Sequence, residues 1–257
     1  MSEFTFSPAS LVEAEPVLRR HLNALPSPVD SFFEDHVRDA QHYRIQIDET
    51  VIGWTAVHEE SLITQFGLFS PHRQLGQRAF AQVRKLEQVQ NALVPTCDEF
   101  YLSHALDHYR LLEKQAYLFR LDPQQARFQT RLALTHRPAT PDDVALIVGL
   151  SDTFFDDLDR RVRAGQLYLA WRGADCVGIG VIEPSVFTPE AASIGMFTAE
   201  LFRHQGVGAA IIAHLIDVCQ ERGLRPVAGC WYYNHNSKKT LEKAGMVSQT
   251  RLLRVSY

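Results

Sequence analysis

Arg203-His204-Gln205-Gly206-Val207-Gly208-Ala209 is the stretch on which the reading of this chain turns. Residues 192–197 before it form a short apolar run that predicts a strand. After it, Val207, Ile211, Ile212, Leu215, Ile216 and Cys219 recur at helical spacing, which predicts a helix over residues 206–219 with Gly223 as its stop. A strand that turns through glycines into a helix has a definite chemical use. Successive backbone N–H groups at a helix start offer donors to a diphosphate, and the helix dipole favours its negative charge. Glycine belongs where the backbone must approach the ligand closely, and Gly206 and Gly208 meet that need. Arg203 is placed to add a charge-assisted contact. A bare Gly-x-Gly also occurs in ordinary loop-to-helix turns, so the surrounding chain has to agree.

Working outward, residues 166–171 and 175–182 read as strands joined by a turn at Arg172-Gly173-Ala174. Residues 226–232 read as a strand, residues 237–244 as a short helix stopped by Gly245, and residues 251–257 as a last strand. Upstream, residues 128–135 read as strand, with residues 132–135 its apolar part. Thr140-Pro141-Asp142-Asp143 reads as a helix start: Thr140 as N-cap, Pro141 at the first position, acids in the first turn. Val144, Ile147, Val148 and Leu150 supply that helix's apolar face. Asp152 and Asp156, four apart, are expected to share a helix face, answered by Arg160, Arg161 and Arg163. The result is a mixed α/β domain.

The first half echoes the second. Pro8-Ala9 matches Pro138-Ala139, and Val51-Ile52-Gly53 matches Cys176-Val177-Gly178. Residues 73–78, with Gly76, match residues 203–208, and Leu112-Glu113-Lys114 matches Leu241-Glu242-Lys243. Four echoes in one order predict tandem copies of one fold, residues 1–125 and 126–257. In the first copy Arg78 stands opposite Gly208, so that copy is expected to be degenerate and to bind little or no coenzyme.

Arg203-x-x-Gly206-x-Gly208 resembles the acetyl-CoA signature of the GNAT superfamily of N-acetyltransferases. Asn234-His235-Asn236-Ser237 leading to Leu241-Glu242-Lys243-Ala244-Gly245-Met246, and the opening at residues 137–143, are similar to the same family. The resemblance covers about 120 residues of the second half and implies a mixed, mostly antiparallel, twisted sheet flanked by helices in each copy. It implies acetyl-CoA as cosubstrate and direct transfer of an acetyl group to an amine, with a small-molecule acceptor expected. The strand before the signature would splay from the next one, with Met196, Phe197 and Thr198 facing the thioester. A backbone N–H there would polarise the thioester carbonyl. Residues 203–209, Asn234, Asn236, Ser237 and Lys239 would complete the coenzyme site. The family's usual proton donor, a tyrosine in the last short helix, aligns with Leu241, which has no proton to give. Tyr232 and Tyr233 stand close by as substitutes, and Glu183 and His235 are candidates for the base. The other reading is a non-catalytic coenzyme A-binding sensor or interaction module.

Bulk properties limit the alternatives. The chain has 257 residues, 46% hydrophobic and 22% charged, with a formal net charge of -4, and so lacks the basic surplus of a nucleic-acid binder. Four cysteines form no CxxC pair, so no metal site is expected. No apolar run approaches the roughly 20 residues of a membrane span, and residues 1–4 carry no secretion-signal pattern. The expectation is a cytoplasmic transferase, a monomer or a homodimer, without nucleic-acid or membrane partners.

Overall fold

Strand β1 (Phe4–Ala9) runs into helix α1 (Leu11–Ala24) through a capping box. Ser10 donates its backbone N–H and its hydroxyl to the Glu13 carboxylate at 2.8 and 2.9 Å. Then follow α2 (Ser31–Arg38), β2 (Gln41–Ile47), β3 (Thr50–His58) and β4 (Leu62–Leu68). A 3-10 turn leads to α3 (Gly76–Val83), β5 (Asn91–Pro95), α4 (Glu99–Ala105) and β6 (Leu111–Leu121). The computed structural model describes residues 3–86, 88–122, 124 and 132–257. Chain contacts divide it into two units: Met1–Leu118 with Gln249–Tyr257, and Phe119–Ser248.

The second unit repeats the order of the first. It runs β7 (Thr135–Pro138), a 3-10 turn, α5 (Val144–Ser151), α6 (Leu158–Arg163), β8 (Leu167–Arg172), β9 (Asp175–Pro184) and β10 (Ala191–Thr198). After another 3-10 turn come α7 (Val207–Glu221), β11 (Arg225–Trp231), α8 (His235–Lys243) and β12 (Met246–Ser256). The capping box recurs too: Thr140 donates its N–H and hydroxyl to Asp143, each at 2.8 Å. The ladders agree in register. His42 faces Ala56 as Leu167 faces Val181, and Arg44 faces Trp54 as Leu169 faces Ile179.

Within each unit the sheet is antiparallel until its fourth strand. In the first unit the order is β1-β2-β3-β4-β5, in the second β7-β8-β9-β10-β11. The last neighbour in each is parallel, β4 with β5 and β10 with β11. The fold is therefore the expected mixed α/β architecture with mostly antiparallel strands. One core of the first unit gathers Ile45, Phe66, Phe80 and Tyr101. One core of the second gathers Ile147, Leu167, Leu169 and Ile179.

Three readings of the sequence change. The strand expected over residues 128–135 falls partly outside the described residues, and of residues 132–135 only Thr135 is extended, in β7. The echo of Leu112-Glu113-Lys114 in Leu241-Glu242-Lys243 is not structural, because the first lies in strand β6 and the second in helix α8. Asp152 and Asp156 share no helix face: Asp152 ends α5 at φ 51°, and α6 begins only at Leu158. The expected division at residues 125/126 lies outside the described residues, and it would leave Gln249–Tyr257 with the second unit. The antiparallel ladder of β12 with β5, from Leu252 facing Pro95 to Ser256 facing Asn91, carries that segment into the first.

Leu252 is fully buried. Leu252→Ala is expected to cost about 2–5 kcal/mol. Chemical denaturation measures the loss, and hydrogen exchange should place it on β5 of the first unit.

The second unit is also expected to be acid-sensitive. His136 on β7 and His214 on α7 stack with centroids 4.1 Å apart. Burial, aided by the His214 charge, lowers His136 from 6.5 to about 4. Burial also lowers His214, against the pull of Asp217 and Glu221. The unfolded chain then takes up these protons first, so stability is complete above pH 6.5 and falls as pH drops toward 4. Asp143 is held well below the usual carboxylate range, first by the Arg137 guanidinium, and its contribution is lost only at still lower pH. A melting series across this window should decline, and His136→Gln should flatten the slope.

Candidate functional site

The parting of two strands creates the site. β10 and β11 pair only from Ala191 facing Arg225 to Ser193 facing Val227. Beyond Ser193, β10 runs on to Thr198 along β9, with Met196 facing Gly180 and Thr198 facing Gly178. Its other edge is left without the β11 ladder over Met196–Thr198, as expected for a splay.

The chain then turns through Arg203 and His204 into α7. Gly206 is the N-cap at φ 86°, left-handed backbone that glycine adopts without the Cβ penalty of other residues. Among the described residues no side chain caps this helix. Its first internal bond runs from the Ala210 N–H to the Gly206 carbonyl, so the N–H groups of Val207, Gly208 and Ala209 have no acceptor within the helix. A Cβ at Gly208 would stand 3.2 Å from both Thr198 Oγ1 and Thr240 Cγ2, so α7 and β10 fit closely only with glycine there.

A cleft of about 560 Å³ opens at this helix end. Met196, Phe197 and Thr198 form one wall, and Gly206 to Ala209 its floor. Arg203, His204, Asn234, Asn236, Ser237 and Lys239 also line it. Of the expected coenzyme residues only Gln205 does not. Its amide is turned away, accepting from Arg172 and donating to the Leu201 carbonyl, each at 2.9 Å. Arg203 donates to the Thr198 carbonyl at 3.2 Å. Asn234 caps α8 by accepting from the Ser237 N–H at 3.0 Å.

Three lining residues went unforeseen: Phe154, Thr240 and Lys243. Lys243 lies one turn beyond Lys239, on the same face of α8. Its ammonium sits 3.8 Å from where a Gly206 Cβ would be, so spacing alone was enough to find it. Phe154 packs on Phe197 at 5.2 Å, and nothing in its irregular segment announced that contact.

The residues considered for proton transfer lie outside the lining. Tyr232 and Tyr233 pack edge to face at 5.2 Å, with Trp231 against Tyr233. His235 is exposed at the start of α8. Glu183 is engaged by Arg161, which also holds Asp156. Leu241, opposite the family's tyrosine, is buried. Among the described residues no three metal-ligating side chains gather, and no helix is long and apolar enough to cross a membrane.

A family model described as an acetyltransferase (GNAT) domain matches residues 10–122, and a model of the acetyltransferase (GNAT) family matches residues 134–246. The chain belongs to the GNAT acetyltransferases. It carries two GNAT domains in tandem, a family whose cosubstrate is acetyl-CoA. An acetyltransferase of the GNAT family from Colwellia psychrerythraea has a similar structure, at 16% identity and a TM-score of 0.89 over 98% of this chain and 99% of that one. A GCN5-related N-acetyltransferase from Sphaerobacter thermophilus is 14% identical, with a TM-score of 0.64 over 98% of this chain and 95% of that one. A tandem GNAT protein from the clavulanic acid biosynthesis pathway is also 14% identical, with a TM-score of 0.60 over 99% and 98%. No curated protein matches the chain.

In the first GNAT domain the corresponding place is closed by a different residue than the sequence suggests. Arg78 lies over the Phe4 ring at 5.5 Å instead of filling the loop. His104 does the filling: its Nε2 lies 2.1 Å from where a Gly76 Cβ would be, and its ring packs edge to face on Phe66 and Phe100. Acetyl-CoA is therefore expected to bind once per chain by calorimetry. Excess ligand at about 100 times its Kd should stabilise the fold by about 2.7 kcal/mol. The thermal shift should vanish in Gly208→Arg and persist in Arg78→Ala.

Proposed function

We propose that the second GNAT domain transfers an acetyl group from acetyl-CoA directly to an amine of a small-molecule acceptor. The observation that carries the reading is the cleft where the uncapped start of α7 meets the open edge of β10. The N–H groups of Val207, Gly208 and Ala209 suit a diphosphate, and Arg203, Lys239 and Lys243 bring positive charge to the same cleft. The backbone edge of β10 at Met196, beyond the β11 ladder, suits an amide-bearing pantetheine arm. Bound acetyl-CoA supplies an activated acyl carbon and a thiolate leaving group.

In this reading the backbone N–H of Met196, which the register turns away from β9, stabilises charge on the acyl oxygen. Phe154 and Phe197 wall the apolar end of the cleft. The Glu183 carboxylate is paired with Arg161 and lies outside the cleft lining. The amine proton is accordingly assigned to water in the open cleft. With leucine at position 241, the thiolate departs without a tyrosine donor, as its ordinary pKa near 8.5 allows. That same leucine favours the second reading, a coenzyme A-binding module without catalysis.

The two readings separate in one assay. Thiol release from acetyl-CoA by the full chain should rise with an added amine drawn from a panel of small amines. Tyr232→Phe and Tyr233→Phe should leave that rate within a few-fold. Coenzyme binding without amine-dependent release from any panel member would leave the binding module as the function.

A further inference from the structure

The first unit contains a cavity of about 250 Å³ on the α1 side of its sheet. Ala14 and Val17 of α1, His42 of β2, Trp54 of β3 and Phe69 line it. The duplication supplies a control for what belongs there. By ladder register, His42, Arg44 and Trp54 occupy the positions of Leu167, Leu169 and Ile179. By the capping boxes, Ala14 occupies the position of Val144. In the second unit Leu167, Leu169 and Ile179 are fully buried in one hydrophobic core, with Val144 packed against it. The first unit has put an imidazole, a guanidinium and an indole on the same face.

Packing does not account for the exchange. His42 is 3% exposed; the Arg38 backbone lies near its ring, but among the described residues neither ring nitrogen makes a hydrogen bond of good geometry. Trp54 Nε1 is buried and unpaired as well. Buried donors and acceptors without partners are destabilising, and an aliphatic side chain avoids the cost. Burial lowers the His42 pKa, against a smaller opposing pull from the Arg38 backbone. The ring is thus neutral, with one donor and one acceptor, and the indole adds a donor. Trp54 and Phe69, with centroids 5.5 Å apart, form an aromatic wall. At the rim Glu13 and Arg44 answer each other, and Ser10 completes the Glu13 carboxylate, so these two lining charges offset one another.

We propose that this cavity is a ligand site for a small neutral aromatic molecule bearing a primary amide or a hydroxyl. Its ring lies along Trp54 and Phe69, and its polar group meets His42. At interior packing density of about 0.75 the space suits a body of about 190 Å³, a substituted ring. The His42 nitrogens are closed off from water in the empty cavity, so binding entails a turn of the imidazole toward the ligand.

The test uses the full chain with benzamide as probe, benzene as its apolar control and benzylammonium as its charged control. Benzamide should bind saturably and move the indole N–H resonance of Trp54, identified with Trp54→Phe, while both controls bind weakly. His42→Leu and Ala14→Val copy the second unit. Each should weaken benzamide by about tenfold or more, the equivalent of one lost hydrogen bond or a filled cavity. His42→Leu should also raise the melting temperature. The acetyl-CoA response of both variants should match wild type, so failure here is distinct from failure of the acetyltransferase reading. No saturable benzamide binding, equal binding of benzene, or binding that survives both substitutions would overturn the proposal.

Discussion

The end of the parallel ladder between β10 and β11 is the constraint on which the site depends. While the two strands pair, the backbone groups of β10 are satisfied on both sides. Past Ser193 and Val227 they are not, and the sheet accepts several residues with one bare edge. Such an edge is costly or aggregation-prone unless something uses it. Every other feature of the cleft follows from that opening. Gly206 turns the chain back across the gap, Gly208 lets α7 sit against Thr198, and α8 brings Lys239 and Lys243 to the far side.

The two units show how one architecture is kept or spent. β4 and β5 part as well, after only Ile63 and Ala92. Yet the space beside Gly76 is taken by His104, which is braced by Phe66 and Phe100. Aromatic packing there substitutes for what a ligand does in the other unit. The fold survives because what sets it is elsewhere, in the repeated capping boxes and the matching hairpin registers.

What could be read from the sequence follows the range of the interactions. The glycine loop is local: a strand, two glycines and an apolar helix lie within thirty residues, and their chemistry is legible without the fold. Lys243 was legible for the same reason. Leu112-Glu113-Lys114 misled because three residues of ordinary composition suit an exposed strand and an exposed helix alike. The positive φ of Asp152 was invisible, since an aspartate in a helix-period run gives no sign that it ends the helix. The last strand was recognised as a strand, but its partner β5 lies about 150 residues away, and pairing at that distance leaves no trace in local pattern. Arg78 was expected to fill the place beside Gly76, but it is long enough to leave the loop for Phe4, whereas His104 comes from a helix that only the tertiary fold brings to Gly76.

The same comparison bears on stability and function. Beside Gly76 the packing of His104 with Phe66 and Phe100 fills space and adds contacts in the first unit. The α1 face of the same unit has gone the other way. There the aliphatic positions seen in the second unit are occupied by His42 and Trp54, with unpaired nitrogens beside a cavity. Drift toward a better scaffold explains the first change and not the second, because buried unpaired polar atoms lower stability. Groups of this kind are kept where they have a use other than packing, as they are at functional sites generally. The first unit thus holds a filled space beside Gly76 and an open cavity on the α1 side of its sheet.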